Sequence, residues 1–394
     1  MLRRALVVGI AGWLGAQAPT PTPTVPPGSA QPVPQSPSPA QTPRAQAEQF
    51  VRELAEPGKQ NAAVAGLVAL GDDAVPALHK ALTDRRSDVL QWALFACSGL
   101  QGDCASLRAP VERLLASKDL GVALMARRAW PAVDGRSGLL LTVGGGEILL
   151  VTQEGVSVLC KLPHAFRTQL LPNDNLLFVS LGLQSVQEVR RDGSELWARA
   201  GMKAPVDCKR LPNGNTLVAR YMDRRVSEWQ PNGEQAWTIE TPGLPFEADR
   251  LANGNTLITQ FDDGGLIEVD REGKTVWSFE GMNLTSAERQ LDGTTLVTDL
   301  DTDRIRLVGA NGTVLRSWAC LDPQHAELLP NGHLVVNQGN DVLVLDADGK
   351  TLWSLGRANI TGMQVLGAGP HRAKVAPANV TPTNPTPATP PPPK

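Results

Sequence analysis

The sequence lacks an excess of charge of either sign, and it has no long hydrophobic run. Its 394 residues carry 37 basic and 40 acidic side chains, which gives a formal net charge of −3. A dedicated nucleic-acid-binding protein needs a clear basic excess, so we expect no nucleic acid among its partners. No apolar run reaches the roughly 18 residues that a membrane-spanning helix requires. This excludes a polytopic membrane protein and predicts no integral membrane domain.

Familiar catalytic and metal-binding motifs are missing as well. The sequence contains no HExxH, G-x-S-x-G or P-loop pattern, and no Cys/His cluster with zinc spacing. The nearest approach to a calcium loop is Asp299, Asp301 and Asp303, whose alternation is more typical of a solvated hairpin. The five cysteines leave at least one unpaired, and a local bridge between Cys97 and Cys104 stays open. We therefore predict no metal and no cofactor, and we favour a protein that is not an enzyme.

The two ends of the chain are rich in proline and differ from the rest. Residues 1–18 combine two arginines, a short apolar stretch and the small-x-small sequence AQA, which predicts a secretory signal peptide. Pro19 follows the expected cleavage site, so an uncleaved N-terminal tether remains an alternative. Residues 19–44 are predicted to be a proline-rich disordered linker, and residues 370–394 a Pro/Thr-rich disordered tail. This organisation predicts a periplasmic or secreted protein.

Residues 45–133 show helical periodicity with an internal repeat. Val75 and Val111 are 36 residues apart, and Val89 and Val122 are 33 residues apart, in equivalent apolar stripes. A period in the thirties that contains two helices predicts a stacked α-hairpin solenoid. The AVPAL sequence in the first helix and the charged turn that follows resemble HEAT repeats. That resemblance implies a surface for binding other proteins.

Residues 134–369 contain a different repeat, of about 40 residues. One motif reads LPNGNTLVAR at 211–220 and recurs, with changes, at 171–180, 251–260, 329–338 and, one residue shorter, as LDGTTLVTDL at 291–300. A second motif of the type DREGKTVW follows each copy by about 20 residues. Together with a first, less regular copy this makes six units of short strands and tight turns. The pattern predicts an all-β six-bladed propeller.

The repeat also predicts how the ring is held together. Each later unit begins with a strand before its first turn, but the first unit lacks one, and residues 358–366 fit the vacant place. We therefore expect a C-terminal strand to complete the first blade. A tryptophan recurs on the last strand of four units, which favours packing between blades over the stacking of a cofactor. These residues are Trp197, Trp237, Trp277 and Trp353.

The propeller repeat resembles a superfamily of extracytoplasmic propellers over about residues 165–357. Its members include arylsulfotransferases and, more distantly, quinoprotein (PQQ-like) dehydrogenases and outer-membrane assembly propellers. In arylsulfotransferases, histidines at the starts of the inner strands surround the channel and one carries the sulfuryl group. Only His325 matches such a position here, four residues before Leu329. The equivalent positions in the other units hold Arg167, Asp207, Glu247 and Ala287.

These positions define the candidate ligand-binding site. We expect Arg167, Asp207, Glu247 and His325 to lie near one mouth of the channel, where they bind a small polar or peptide ligand or line a solvated opening. The favoured function is a non-enzymatic extracytoplasmic scaffold or binding protein, with envelope proteins as partners. One alternative is an arylsulfotransferase-like enzyme that uses His325, although Asp207 and Glu247 would repel a sulfate. The other is a carbohydrate- or peptide-binding propeller.

Overall fold

The computed structural model describes residues 42–262, 264–357 and 359–370. These described residues all belong to one compact unit that begins at Gln41. The predicted signal peptide, nearly all of the linker and nearly all of the tail lie outside the described residues. The chain enters its first helix at Pro43, where Thr42 caps the helix by accepting a hydrogen bond from the Ala45 amide at 3.3 Å. Helical structure therefore begins two residues before the predicted boundary.

Six α-helices lie within the described residues and pack in two rows. Helices α1, α3 and α5 contact one another in sequence along one row, and α2, α4 and α6 do so along the other. Consecutive helices also pack together as hairpins, so the apolar stripes of both rows meet in one core. The helices are α1 (Pro43–Glu53), α2 (Gln60–Leu70), α3 (Val75–Ala81), α4 (Ser87–Ser98), α5 (Ala105–Leu114) and α6 (Leu120–Val133).

One stretch of this region corrects the expectation that no run is long and apolar enough to cross a membrane. Among the described residues, Gln60–Ala81 satisfies the length and hydropathy of a membrane span. The stretch is broken by a 3-10 turn at Gly71–Ala74, where Gly71 adopts a positive φ of 54°. Its leucines at 67 and 78 are fully buried in the helical core. Each such burial contributes about 1.5–3 kcal/mol, so this stretch is accounted for by packing between helices.

The remaining described residues form 24 β-strands, with one further 3-10 turn at Tyr221–Asp223. In chain order the strands are β1 (Gly138–Val143), β2 (Glu147–Thr152), β3 (Gly155–Lys161), β4 (Ala165–Leu170), β5 (Leu176–Ser180), β6 (Ser185–Val189), β7 (Glu195–Ala200), β8 (Pro205–Arg210), β9 (Thr216–Arg220), β10 (Arg225–Trp229), β11 (Gln235–Glu240), β12 (Pro245–Arg250), β13 (Thr256–Gln260), β14 (Leu266–Val269), β15 (Thr275–Phe279), β16 (Leu284–Arg289), β17 (Thr295–Asp299), β18 (Arg304–Val308), β19 (Val314–Ala319), β20 (His325–Leu328), β21 (Leu334–Asn337), β22 (Asp341–Leu345), β23 (Thr351–Gly356) and β24 (Ile360–Leu366).

The strands form six four-stranded antiparallel sheets, which confirms the six-bladed propeller. Five blades are continuous in sequence: blade 2 is β4–β7, blade 3 is β8–β11, blade 4 is β12–β15, blade 5 is β16–β19 and blade 6 is β20–β23. Blade 1 has the order β24-β1-β2-β3. Its inner strand is therefore the C-terminal strand, paired with β1 from Gly138 opposite Leu366. The predicted closure of the ring by the C-terminal strand is confirmed.

Tryptophans on the outer strands do join neighbouring blades. The indole of Trp237 donates to the Arg271 carbonyl of the next blade at 2.7 Å, and Trp277 donates to the Ala310 carbonyl at 2.9 Å. Blade 5 has arginine at the repeat position, and there Trp318, two residues later, donates to the Ala347 carbonyl at 2.9 Å. The same contact between blades is thus made from a shifted position that the sequence motif does not mark.

The two faces of the ring differ because the helices cover one of them. One side of the ring carries the turns between the first and second strands of blades 2–6, and we call this side the turn face. The opposite side is called the loop face. On the turn face, Arg128 of α6 donates to the Leu328 carbonyl at 2.7 Å and pairs with Glu288. Asn61 of α2 donates to Asp292 at 2.8 Å, and Leu291 packs against the helical core. The described helices therefore cap the ring from the turn face.

Candidate functional site

A cavity of about 430 Å³ opens at the loop face of the ring. Its wall is built from the inner strands of blades 1, 2, 3, 4 and 6 and from the loops that precede those strands. The inner strands run side by side around the ring, so residues at equivalent places on each strand face the same space. A cavity of this size matches the range of small-molecule and peptide-group sites. The cap on the turn face lies at the far ends of the same strands.

All four residues singled out from the sequence line this cavity. Arg167, Asp207, Glu247 and His325 each stand near the start of the inner strand of their blade. Their side chains are 4–16% exposed, with Glu247 and Asp207 the most deeply buried. The structure thus brings together charged groups from strands about 40 residues apart in sequence.

The fifth position, assigned from the sequence to Ala287, is corrected by the strand register. Ser286 pairs with Thr298 in blade 5, as Glu247 pairs with Thr259 in blade 4. The turn in blade 5 is not shorter than the others: it begins at Gln290, whose amide donates to the Thr294 carbonyl at 2.8 Å. Ala287 instead lies in the apolar core of blades 4 and 5. The equivalent of the other four residues is therefore Ser286.

Glu247 is the centre of the charge network. Its Oε1 accepts a hydrogen bond from Lys209 Nζ at 2.7 Å, while Oε2 lies 3.6 Å from His325 Nδ1 and 3.9 Å from Arg167 Nη1. Burial opposes ionisation of Glu247, but the charges of Lys209, His325 and Arg167 outweigh it and hold its pKa well below the usual range. Glu247 Oε2 is buried and accepts no hydrogen bond from any described residue. The carboxylate with the smallest exposed fraction in the site is thus ionised and incompletely paired.

His325 is held as a cation by the carboxylates on either side of it. Burial lowers its pKa, but Glu247 and Glu327, with Glu327 Oε1 3.5 Å from His325 Nε2, raise the pKa to about 9. The imidazole is therefore protonated at neutral pH. In this state it has no free lone pair, so it acts neither as a nucleophile nor as a general base.

A second row of polar side chains lies one step deeper and was not singled out from the sequence. Side chains two residues apart on a strand share a face, so this row follows directly from the first. Lys209 Nζ binds Asp249 at 2.7 Å as well as Glu247, and burial raises the Asp249 pKa to about 6. Burial lowers the Lys209 pKa, but these carboxylates outweigh it and hold that pKa well above its usual range. The second row consists of Gln169, Lys209, Asp249, Glu288 and Glu327.

Several of these deeper side chains join neighbouring inner strands. Gln169 accepts a hydrogen bond from the Arg210 amide at 2.9 Å, Glu288 accepts from the Leu328 amide at 3.3 Å, and Glu327 accepts from the Val365 amide at 3.0 Å. Each bond links one blade to the next. The second row therefore helps to hold neighbouring blades together, and Gln169, Lys209 and Glu327 of this row also line the cavity.

The remaining sequence candidates lie elsewhere. His164 is exposed in the loop before β4, and Asp299 pairs with Arg306 on the neighbouring strand. The described residues contain no group of three or more His, Cys, Asp or Glu side chains placed to hold a metal ion. All five cysteines are free thiols, so the bridge between Cys97 and Cys104 is not formed. Cys208 lines the cavity, but burial raises its pKa well above the ordinary value.

The comparisons with known proteins agree with the propeller. A family model described as outer membrane protein assembly factor BamB matches residues 182–329, which is less than half of the chain. No curated protein matches the sequence. A crystal structure of a protein of unknown function from Bacteroides caccae is 21% identical, with a TM-score of 0.49, and the match covers 57% of this chain and 97% of that one.

Two further solved structures are similar to somewhat more than half of this chain. A chain of the nidogen/laminin complex is 12% identical, with a TM-score of 0.50, over 59% of this chain and 99% of that chain. The virginiamycin B lyase of Staphylococcus aureus is 11% identical, with a TM-score of 0.43, over 55% of this chain and 81% of that chain. Identities this low show the fold alone. The protein is therefore a six-bladed β-propeller, capped by helices, in which residues 182–329 are similar to the BamB family.

Proposed function

We propose that the protein is a non-enzymatic binding protein whose loop face docks another protein. The observation that carries this proposal is a set of exposed apolar side chains around the cavity. Five large hydrophobic residues of the loop face are each at least 38% exposed. They lie in loops of blades 2 and 3 and between blades 4, 5 and 6. The five are Leu181, Leu183, Met222, Met282 and Leu321.

Exposed apolar side chains grouped on one face are typical of docking surfaces in soluble proteins. Methionine suits such a surface because its unbranched side chain adapts to different partners. Outside the loop face, the large hydrophobic residues exposed among the described residues lie singly or in pairs on the outer strands of blades. The charged cavity at the centre of the face adds a polar anchor for the same partner. The similarity to an outer-membrane assembly family over 182–329 also supports an interaction propeller.

The finer features of the sequence interpretation belong to the same proposal. We infer an extracytoplasmic protein because residues 1–18 have the pattern of a signal peptide, and envelope proteins would then be its partners. Residues 45–133 and 134–369 are proposed as its helical and propeller domains. The two rows of helices support the interpretation of the helical part as three HEAT-like hairpins. This part already contacts the turn face, so the docking role is assigned to the loop face.

The enzymatic alternative has less support. A sulfuryl-transfer mechanism would need His325 as a neutral nucleophile, whereas its two carboxylate neighbours favour the cation. Asp207 and Glu247 would also repel a sulfate at close range. A carbohydrate- or peptide-binding propeller remains compatible with the cavity, and a bound peptide would be one form of the proposed docking.

Affinity capture with matched variants tests the docking face. The loop-face variant carries Leu183→Ser, Met222→Ser and Leu321→Ser, and the control carries Leu196→Ser, Val276→Ser and Leu352→Ser on outer strands. The wild-type full chain and both variants are each incubated with envelope extract, and the bound proteins are identified by mass spectrometry. We expect the wild type and the control to retain the same partner and the loop-face variant to lose it. Retention of the same proteins by all three would contradict the proposal.

A further inference from the structure

The guanidinium of Arg167 is the cation of the cavity that makes no hydrogen bond with a described residue. Its two nearest acceptors are Asp207 Oδ1 at 3.7 Å and Glu247 Oε2 at 3.9 Å, both beyond hydrogen-bond range. No described residue accepts a hydrogen bond from this side chain, which is only 12% exposed. A guanidinium has five N–H donors, and leaving them unpaired in a partly buried site is costly. The arrangement therefore lacks an acceptor that a ligand can supply.

The same guanidinium is fixed in orientation. It lies over the ring of Phe246, with 4.8 Å from Cζ to the ring centroid. Phe246 in turn stacks on Phe261 with a centroid separation of 5.2 Å. A contact of this kind restrains the guanidinium against the aromatic ring. A pre-oriented fork binds a ligand with a smaller loss of entropy than a mobile side chain does.

The carboxylates near Arg167 are already occupied on their other sides. Glu247 is bonded to Lys209 at 2.7 Å, and Asp207 Oδ2 accepts a hydrogen bond from the Ala248 amide at 3.3 Å. Both carboxylates are more deeply buried than Arg167 or His325. The two cations are therefore the more exposed of these four charged groups that line the cavity.

We propose that the cavity binds a carboxylate-bearing ligand, with Arg167 as a two-point donor and His325 as a neighbouring donor. A carboxylate is planar and has two acceptors at the spacing of the guanidinium fork. Its single charge also suits a site whose other side chains include Asp207, Glu247 and Glu327, because a doubly charged anion would be repelled more strongly. The ligand is either a small carboxylic acid or the carboxylate of a polypeptide. The inference goes beyond the docking face, because it concerns the cavity and holds whether or not a protein docks around it.

Calorimetric titration of the full chain with matched probes tests the site. The probes are benzoate with benzamide, for a small acid, and N-acetylphenylalanine with its amide, for a polypeptide end. Inorganic sulfate is the doubly charged comparison. We expect at least one acid to bind about 10- to 100-fold more tightly than its amide, the factor that a charge-assisted pair provides. Preference for one acid over the other identifies the source of the carboxylate. Equal binding of acids and amides, tighter binding of sulfate, or no binding of either acid would overturn the inference.

Variants separate recognition from folding. Arg167→Gln is expected to weaken binding of the acid about 10- to 100-fold, and Arg167→Lys to restore part of it, because the charge returns without the planar fork. Since Arg167→Gln leaves Asp207 with one partner fewer, the double variant Arg167→Gln/Asp207→Asn provides a second test with the local charge balance restored. Arg289→Gln is the control, because Arg289 is also a partly buried arginine over an aromatic ring, at 4.8 Å from the Trp277 centroid, but lies outside the cavity wall. Unchanged affinity for the acid in Arg167→Gln and in the double variant would contradict the assignment. A loss of affinity in Arg289→Gln equal to that in Arg167→Gln would contradict it as well.

Discussion

His325 shows how its neighbours set the chemistry of a single residue in this protein. The repeat places it at the start of an inner strand, at the position equivalent to Arg167, Asp207 and Glu247. In the structure it lies between Glu247 and Glu327, at 3.6 Å and 3.5 Å, and these carboxylates raise its pKa to about 9. The side chain is therefore a fixed cation at neutral pH. In this state it balances the charge of the neighbouring buried carboxylates.

This raised pKa predicts a specific dependence of stability on pH. A histidine whose pKa is higher in the folded than in the unfolded state adds stability that is complete below about pH 6.5 and is lost as the pH rises through about 9. We expect the free energy of unfolding of the wild type to exceed that of His325→Gln by an amount that shrinks across this window. Urea denaturation at several pH values measures the difference.

The comparison needs a second histidine variant and attention to the other titrating groups. His79→Gln, on the exposed surface of α3, should follow the wild type at every pH. Asp249, whose pKa is about 6, titrates in both proteins of the main pair. His325 helps to lower the pKa of Glu247 and of Glu327, so these carboxylates titrate at a higher pH in His325→Gln, and the difference is compared only above about pH 6.5. A constant gap between wild type and His325→Gln would mean that the imidazole is not held as a cation.

At the scale of the element, neighbouring blades are joined by a repeated cluster of charged and aromatic side chains. Glu228 on β10 accepts hydrogen bonds from Arg250 of the next blade at 2.8 Å and from Asn215 of its own blade at 2.7 Å. The Arg250 guanidinium also lies 4.7 Å from the centroid of the Trp237 ring. The same arrangement recurs in two other pairs of blades, as Glu188 with Arg210 and Trp197, and as Glu268 with Arg289 and Trp277.

Loss of one member of this cluster is predicted to be costly. Glu228→Ala leaves the guanidinium of Arg250 buried without its partner, which typically costs about 3–5 kcal/mol. Glu240→Ala in the same blade removes the exposed pair with Arg225 and should cost less than about 1 kcal/mol. Chemical denaturation of both variants measures the two costs. Similar small losses in the two variants would show that the cluster contributes little to the joining of blades.

At the scale of the whole molecule, the propeller is closed by its C-terminal strand and capped by its N-terminal helices. Strand β24 supplies the inner strand of blade 1, and Arg128 of α6 binds the carbonyl of Leu328 near the centre of the ring. The two ends of the described chain therefore stabilise the same ring from different directions. The cap leaves the loop face, with the cavity, as the side on which docking is proposed.

Removal of the closing strand is predicted to disrupt the ring. A chain that ends at Arg357 lacks β24, so β1 loses one of its two partner strands and the apolar side chains of blades 1 and 6 that pack with Ile360 are exposed. We expect thermal unfolding to shift to a lower temperature by well over about 5 °C and to lose cooperativity. A chain that ends at Pro370 retains β24 and is the control. Equal unfolding curves for the two chains would contradict closure by this strand.

The fold was predictable from the sequence because its signals are local. Each repeat contains its own turn glycines and its own alternation of apolar residues, and successive repeats follow at about 40 residues. The first repeat lacks a strand, and residues 358–366 fit its place. The positions of Arg167 and His325 followed from the same repeat. The assignment of Ala287 was wrong, because the motif was aligned by its apolar letters, and only the pairing of Ser286 with Thr298 fixes the register of blade 5.

The sequence by itself thus determined the six repeats, the turns between strands and, in every blade but the fifth, the residue assigned to the start of the inner strand of blades 2–6, because these depend on neighbours along the chain. Only the tertiary structure decided which charges meet. Lys209 of blade 3 binds Glu247 of blade 4, and the Arg167 guanidinium lies beside Phe246 with unused hydrogen-bond donors. The packing of the helices against the turn face also depends on contacts between residues that are distant in sequence. These features depend on packing between residues from 38 to 231 positions apart, and no local pattern encodes such distances.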